Sequence, residues 1–499
     1  MQSEDLLYRL FASRHRGVTV GATLLVCALL ALGVGYLLAE FGPLVAGAGL
    51  VVLLVGLWML RKIEVAFWTV VATICLLPFA SFPFDIGVTP TFLDVGVGAL
   101  FVVWLLTIAT GQQRDFVGTA LGVPVLVFML LAVGSFIYGL SHAPLTSYDL
   151  RHFAELLLSV ALFYLVVNTV REAGRLRRLV RALLVCASAA ALLGVILYGV
   201  AMVSPQLTIR ALSALGRVGY PVGEGVLRYI EDNPELPMRA TSTSVDPNVL
   251  GSLLNMALAI GVPQMFARRP ILPRKVLLPM LGGIALCLGL TLSRGALVGV
   301  GVALAALATL RYRRLWLILF VVAVLLLLLP PTQGYVEHLL RGLRGEDLAT
   351  QMRFGEYKDA LILIGRYPWL GVGFSGSPDI DTYIGVSNVY LLIAEQMGVL
   401  GLLAFAMLVM VFLIRFWRGR SLVRRQPDLE PLWWGLHAGI VGALVGGIFD
   451  HYFFNLDFHH SVTLFWLVLG LATGAGEIIR SRAEAGAAGC PEPGTGETR

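Results

Sequence analysis

Charge is what this chain has least of. Asp, Glu, Lys and Arg make up 14% of its 499 residues, against 58% that are hydrophobic. A soluble globular chain does not carry that balance. Cysteine is scarce as well. Cys27, Cys75, Cys186 and Cys287 lie inside apolar runs and Cys490 lies in the C-terminal segment. No CxxC pair occurs and no cysteine falls in a long polar loop, so neither a disulfide scaffold nor a thiolate metal site is implied. There is no Walker A stretch and no GxGxxG between a strand and a helix pattern, which removes the usual nucleotide cradles. No internal repeat is evident, which weighs against a transporter built from inverted halves.

What is present is a series of apolar runs of bilayer-spanning length. They fall near 18–38, 43–60, 64–80, 93–110, 119–140, 153–170, 179–203, 249–267, 276–292, 295–310, 315–331, 388–414, 432–449 and 461–479. The expected fold is an all-α polytopic membrane protein with about 12–14 transmembrane helices and two long extracytoplasmic loops, 204–248 and 332–387. Residues 1–480 read as one transmembrane domain, and 481–499, rich in Gly, Ala, Glu and Pro, as a disordered cytoplasmic tail. The first run, Val18 to Leu38, is too long for a signal-peptide core and reads as a retained helix.

Basic residues orient this layout. With the N-terminus placed in the cytoplasm, 26 of the 37 Lys and Arg fall on inner segments and 11 on outer ones. Of the 31 acidic residues, 11 fall inside and 20 outside. No span is out of phase with the positive-inside rule, so both termini are expected in the cytoplasm. The inner loops are too short to form a nucleotide-binding or nucleic-acid-binding domain.

The stretch from Gln351 to Phe405 is unlike its surroundings. Arg353, Glu356, Tyr357 and Asp359 precede Leu361, Ile362 and Ile364 at helical spacing, and Pro368, Gly371, Gly373 and Gly376 then break the helix. Of the 11 outer basic residues, only Lys358 is not Arg. Guanidinium forks suit phosphate and pyrophosphate better than an ammonium does. Most of these arginines are adequately read as solvated or paired with outer acids. Arg294 stands apart. It lies in GLTLSRGALVGV, a short polar break between two apolar runs, where an ionisable residue needs a cavity or a partner. Snorkelling to the headgroups is the plainer account. Arg239 opens RATSTSVDPNVLGSLLNMALAI, where Asp246 reads as an N-cap and Pro247 as the first helical residue.

Three of these stretches resemble the O-antigen ligase and O-antigen polymerase family of bacterial envelopes. They are the segment from Arg239, the TLSRGALVGV turn, and the run from Arg353 through RYPWLGVGFSG to SNVYLLIAEQMGVLGLLAF. The resemblance covers roughly residues 235–475 and implies a metal-independent glycosyltransferase of the GT-C type, with no cofactor. It acts on the outer face of the bacterial cytoplasmic membrane. The implied donor is an undecaprenyl-pyrophosphate-linked glycan and the acceptor a glycan or a lipid. By the same resemblance Arg239, Arg294 and Arg353 would hold the pyrophosphate. The family's His-Asn pair is replaced by Ser387-Asn388. Serine is a poor base unless activated. Asp381 is therefore the first choice for the acceptor base by sequence distance, with Glu356, Asp379, Asp359 and Glu395 nearby. The cluster FDHYFFNLDFHH, with His451, His459 and His460, matches no standard metal-ligand spacing and reads as an interfacial aromatic belt. A carrier or flippase for lipid-linked oligosaccharide is the alternative. It would place charges midway along several spans, whereas here they cluster at outer ends.

Overall fold

The computed structural model describes residues 54–82, 89–113, 115–328, 344–345, 348–376 and 385–488, residue 333 and isolated positions between 20 and 39. The chain divides into two compact units, Met1–Ala66 and Phe67–Arg499. In the first, residues 54–61 are helical. The expected spans at 18–38 and 43–60 lie largely outside the described residues.

The second unit is helical almost throughout. Its helices are α1 (Ile63–Leu76, begun in the first unit), α2 (Phe92–Ala109), α3 (Gly122–Gly139), α4 (Ser147–Thr169), α5 (Ala173–Val203), α6 (Pro205–Ser213) and α7 (Pro247–Gly261). They continue as α8 (Arg274–Leu290), α9 (Arg294–Leu310), α10 (Leu315–Leu328), α11 (Leu348–Arg366), α12 (Val389–Val423), α13 (Glu430–Gly446) and α14 (His459–Ala488). One two-stranded ribbon, β1 (Arg228–Tyr229) with β2 (Met238–Arg239), interrupts them, and Arg228 pairs with Arg239. Among the described residues, seven helices are long and apolar enough to cross a membrane. Shorter apolar helices, such as Ile63–Leu76 and Arg294–Leu310, accompany them. This is the all-α polytopic membrane fold that the apolar runs predict.

The centre of the unit is α7. Every residue from Val249 to Gly261 is buried, as expected of a helix that is apolar on all sides. Helices α13 and α9 lie against it and against each other. The α9–α13 contact runs through Gly295 and Gly299 on one helix and Gly442 and Gly446 on the other, each pair spaced four apart. A Cβ on Gly299 would stand 2.5 Å from the Gly442 carbonyl oxygen, so the two backbones touch. Asn255 of α7 donates through Nδ2 to that same carbonyl at 3.0 Å. Small residues that let backbones meet are how helices associate where lipid removes the hydrophobic drive.

Some boundaries differ from the sequence reading. Helix α12 extends to Val423 and is kinked at Gly398, whose φ of 67° leaves the helical region. Helix α14 continues to Ala488, past the position where the tail is expected to begin, and 489–499 lie outside the described residues.

Candidate active site

The α8–α9 turn begins the site. The apolar helix 274–290 stops at Thr291, and Ser293 starts α9 without a side-chain cap on its first turn. The free N–H groups at that helix start therefore have no internal acceptor and favour negative charge. Leu292, between them, holds a φ of 53°. On the neighbouring element, Asp246 caps α7 as predicted, accepting from the N–H groups of Asn248 at 2.7 Å and Val249 at 3.1 Å. The β-ribbon then docks onto the α8 terminus. Ala240 N–H donates to the Leu290 carbonyl, and Arg239 Nε donates to the Thr291 carbonyl at 2.9 Å.

These contacts bring the three arginines together. Arg239, Arg294 and Arg353 line one open cleft with Ile230, Glu231, Asn248, Leu292 and Gly295. They come from β2, the first residue of α9, and α11, and are separated by as many as 114 residues of sequence (239 to 353). Arg239 is fixed by Thr291 and by Asn248, whose Oδ1 accepts from its Nη2. Burial lowers the Arg239 pKa, Asp246 opposes that, and the like charge of Arg294 adds to it.

Backbone strain is concentrated around this cleft. Among the described residues, the non-glycine positions with positive φ are Glu231, Asp232, Ser242, Val245 and Leu292. Glu231 and Leu292 line the cleft, and Ser242 and Val245 lie between Arg239 and α7. Val245 is β-branched, for which this region is a genuine outlier. Such strain persists where surrounding structure over-determines it, and it clusters at functional sites. Here Ser242, buried, donates to the Ala190 carbonyl at 2.8 Å, so its hydroxyl anchors the strained segment instead of facing a ligand.

One face of α11 joins the cleft to the start of α12. Arg353, Glu356 and Tyr357 share that face, three and four residues apart. Glu356 accepts from the Ser387 backbone N–H at 2.9 Å. Tyr357 hydrogen-bonds with Asn388. Asn388 is the N-cap of α12, accepting from Tyr390 and Leu391 N–H, and its Nδ2 donates to the Ile448 carbonyl at 2.9 Å. Both ends of that amide are thus engaged in holding the turn. Asp381 and Asp379 lie outside the described residues. Glu395 is fully buried in α12.

The loop between α13 and α14 carries further polar residues near these elements that no local spacing singles out. Asp450 is enclosed between Arg353, Arg239 and Asp246, and burial pushes its carboxyl up to about 7 despite the two arginines. Tyr452 donates to Asp246 Oδ1 at 3.2 Å and also hydrogen-bonds Asp450. His451 is half-buried, and its Nδ1 lies 3.2 Å from the Val386 carbonyl, the residue before Ser387. A carbonyl accepts only, so Nδ1 carries the hydrogen and Nε2 is left basic in the neutral ring. Burial lowers the His451 pKa, with Glu356 and Asp246 opposing. The aromatic-belt reading overlooked this placement, which depends on a contact between residues 386 and 451 that no local spacing encodes. His459, in the same stretch, instead joins Asp94 and Glu155.

No curated protein matches the chain. The stretch from α8 to the kinked half of α12 contains Arg294, Arg353, Glu356 and Ser387-Asn388, with Arg239 reaching into its cleft from outside. Residues 279–406, which include those positions except Arg239, match the family model described as O-Antigen ligase.

Proposed function

We propose that the chain is a membrane glycosyltransferase that moves a glycan from an undecaprenyl-pyrophosphate donor to a hydroxyl acceptor on the outer face of the cytoplasmic membrane. The observation that carries this reading is the convergence of Arg239, Arg294 and Arg353 on one open cleft. Pyrophosphate offers several oxygens, and guanidinium forks match them in pairs. The uncapped start of α9 adds backbone N–H groups beside Arg294.

The chemistry follows from that arrangement. The acceptor hydroxyl oxygen attacks the anomeric carbon. The bond from that carbon to the pyrophosphate oxygen breaks, and its electron pair leaves with the lipid pyrophosphate. Negative charge grows on the leaving group, where the three arginines stabilise it without reorganising. His451 Nε2 receives the acceptor proton, its ring oriented by the Val386 carbonyl. Asp381, the first choice from sequence, is the rival base. Glu356 and Asn388 position the α12 start, and Ser387 contributes its backbone N–H.

The test is transfer by the purified chain from a lipid-linked glycan to an acceptor. Product from wild type and little from Arg294→Ala is the expected result. Movement of the labelled donor across vesicles without product would favour the carrier and overturn the enzyme.

A further inference from the structure

The starts of α2, α4 and α14 hold a second polar cluster, none of whose members lines the arginine cleft. Asp94, Glu155 and His459 each present one ligand-type atom, all within 4.8 Å of one another. His459 Nδ1 stands 3.2 Å from Asp94 Oδ1 and 3.8 Å from Glu155 Oε2. We propose that these three residues bind a divalent cation of the zinc class, which pins the three helices together.

Geometry carries the proposal. Nitrogen and oxygen ligands about 2.0–2.1 Å from zinc in a tetrahedron stand about 3.3 Å apart. The observed separations lie on either side of that value. His459 is 8% exposed, and neither of its ring nitrogens makes a hydrogen bond. Its Nδ1 lies within ion-pair distance of Asp94 Oδ1, a contact that a proton on His459 would satisfy and a bound cation would replace. Asp94 Oδ1 is likewise buried without a hydrogen bond.

The other carboxylate oxygens are held away from this space. Arg151 donates to Asp94 Oδ2 at 3.0 Å and to Glu155 Oε1 at 2.7 Å. Thr91 N–H also donates to Asp94 Oδ2 at 2.8 Å. Oδ1 and Oε2 are thereby turned toward His459. Outer partners that aim the ligands in this way are a regular part of metal sites. His152 Nδ1 also lies 3.0 Å from Glu155 Oε2, on the same helix, without a hydrogen bond to it. One imidazole and two carboxylates suit zinc better than calcium, which takes more oxygens. The competing occupant is a proton on His459, which would make the cluster an ion pair only.

A cation here would also serve the loop that carries Asp450 and His451. That loop ends at His459, so fixing His459 to α2 and α4 fixes one end of it. The inference does not rest on the proposed transferase reading, and its test reads metal, not transfer.

Full-length chain is purified in detergent without a polyhistidine tag, stripped with EDTA, desalted and exposed to ZnCl2. The expected result is about one zinc retained per chain after desalting and a raised melting temperature. CoCl2 in its place should give the visible absorption of a low-coordinate nitrogen and oxygen site. Glu155→Gln and His459→Asn should each weaken zinc binding by at least about tenfold, while His142→Asn should not. If a variant fails to fold, the wild-type arms decide alone. No retained zinc with an unmoved melting temperature would leave a protonated ion pair and overturn the site. Equal zinc retention by wild type and both folded variants would overturn it too.

Discussion

Arg294 is the first residue of α9 and lines the cleft with Leu292, Gly295 and two further arginines. In the proposed reaction its charge acts on the leaving group, so Arg294→Ala should lower the transfer rate by roughly 10²–10³, with Arg294→Lys intermediate because the fork is lost. The melting temperature should change little, because a cleft arginine is not part of the core. Wild-type turnover by a stable Arg294→Ala protein would make it a headgroup anchor. On the acceptor side, Ser387→Ala should retain most activity, because the contact of Ser387 with Glu356 is made by its backbone. His451→Gln should lose roughly 10²–10⁴ in rate. The pH profile of wild type should fall on the acid side below the ordinary histidine range, as a base with a lowered pKa loses function only when protonated. Full activity in His451→Gln with a dead Asp381→Asn would transfer the role to Asp381. Asp450 carries a separate pH prediction. Its carboxyl is raised to about 7 among Arg353, Arg239, Asp246 and Tyr452. Below that pH it is neutral, and above it adds a negative charge beside the proposed pyrophosphate site. Pyrophosphate affinity of wild type relative to Asp450→Asn should therefore decline as pH rises through 7. A constant ratio from pH 6 to 8 would show that Asp450 is remote from the anion. Arg294 stood out in the sequence because a charged residue in a break between apolar runs is anomalous in itself, whereas Arg239 and Arg353 were singled out by the resemblance. Asp450 and His451 were not, because their neighbours are more than sixty residues away (386 to 451) and aromatic surroundings masked them.

Elements, more than single side chains, bring the site into register. Helix α11 was readable from its spacing, and the structure puts Arg353, Glu356 and Tyr357 on the face that meets the cleft and the α12 start. The PWLGVG segment after it was readable as a turn but not as what it packs against. Its backbone fills the kink of α12: Val372 N–H donates to the Glu395 carbonyl at 2.9 Å, and Val399 N–H to the Pro368 carbonyl at 2.7 Å. Irregular backbone is tolerated there because the opened helix turn satisfies it. Gly398 makes the opening possible, with φ at 67° and the Trp369 carbonyl oxygen 2.2 Å from where a Cβ would stand. Gly398→Ala should thus destabilise the protein well beyond a helix-propensity effect. Gly355→Ala, in a helical position with open space around it, should be neutral or stabilise by about 0.5–1 kcal/mol. Comparable melting temperatures for the two variants would mean that the kink is not constrained. A run of apolar residues announces a helix, but its kink depends on a partner segment, which is why 388–414 read as one straight span.

At the scale of the whole molecule, the two ends of the helices treat charge differently. Near the site, arginines from separate elements face one another. At the opposite ends of α9, α12 and α14, arginines are matched with acids: Arg311 with Glu430, Arg415 with Glu477 at 3.0 Å, and Arg482 with Asp428 at 3.1 Å. Arg177 also reaches Asp428, at 3.3 Å. Arg420 lies over the Trp417 ring, 3.9 Å from its centroid, and Trp417 is exposed, a pairing suited to a membrane interface. The distribution of Lys and Arg alone gives an expected orientation, since that depends on counts near helix ends and not on contacts. The resulting topology is testable in intact cells. With Cys27, Cys75, Cys186, Cys287 and Cys490 replaced, single cysteines are introduced by Gly223→Cys, Gly345→Cys, Lys275→Cys and Arg420→Cys. A membrane-impermeant thiol reagent should label the first two from outside. The last two should react only after the membrane is opened. Gly223 and Gly345 have positive φ, so their variants are checked for folding by melting temperature first. Labelling of the Lys275→Cys or Arg420→Cys protein in sealed cells would invert the layout. The arginine cleft would then face the cytoplasm, where the lipid-linked glycan of the proposed reaction would not be presented to it.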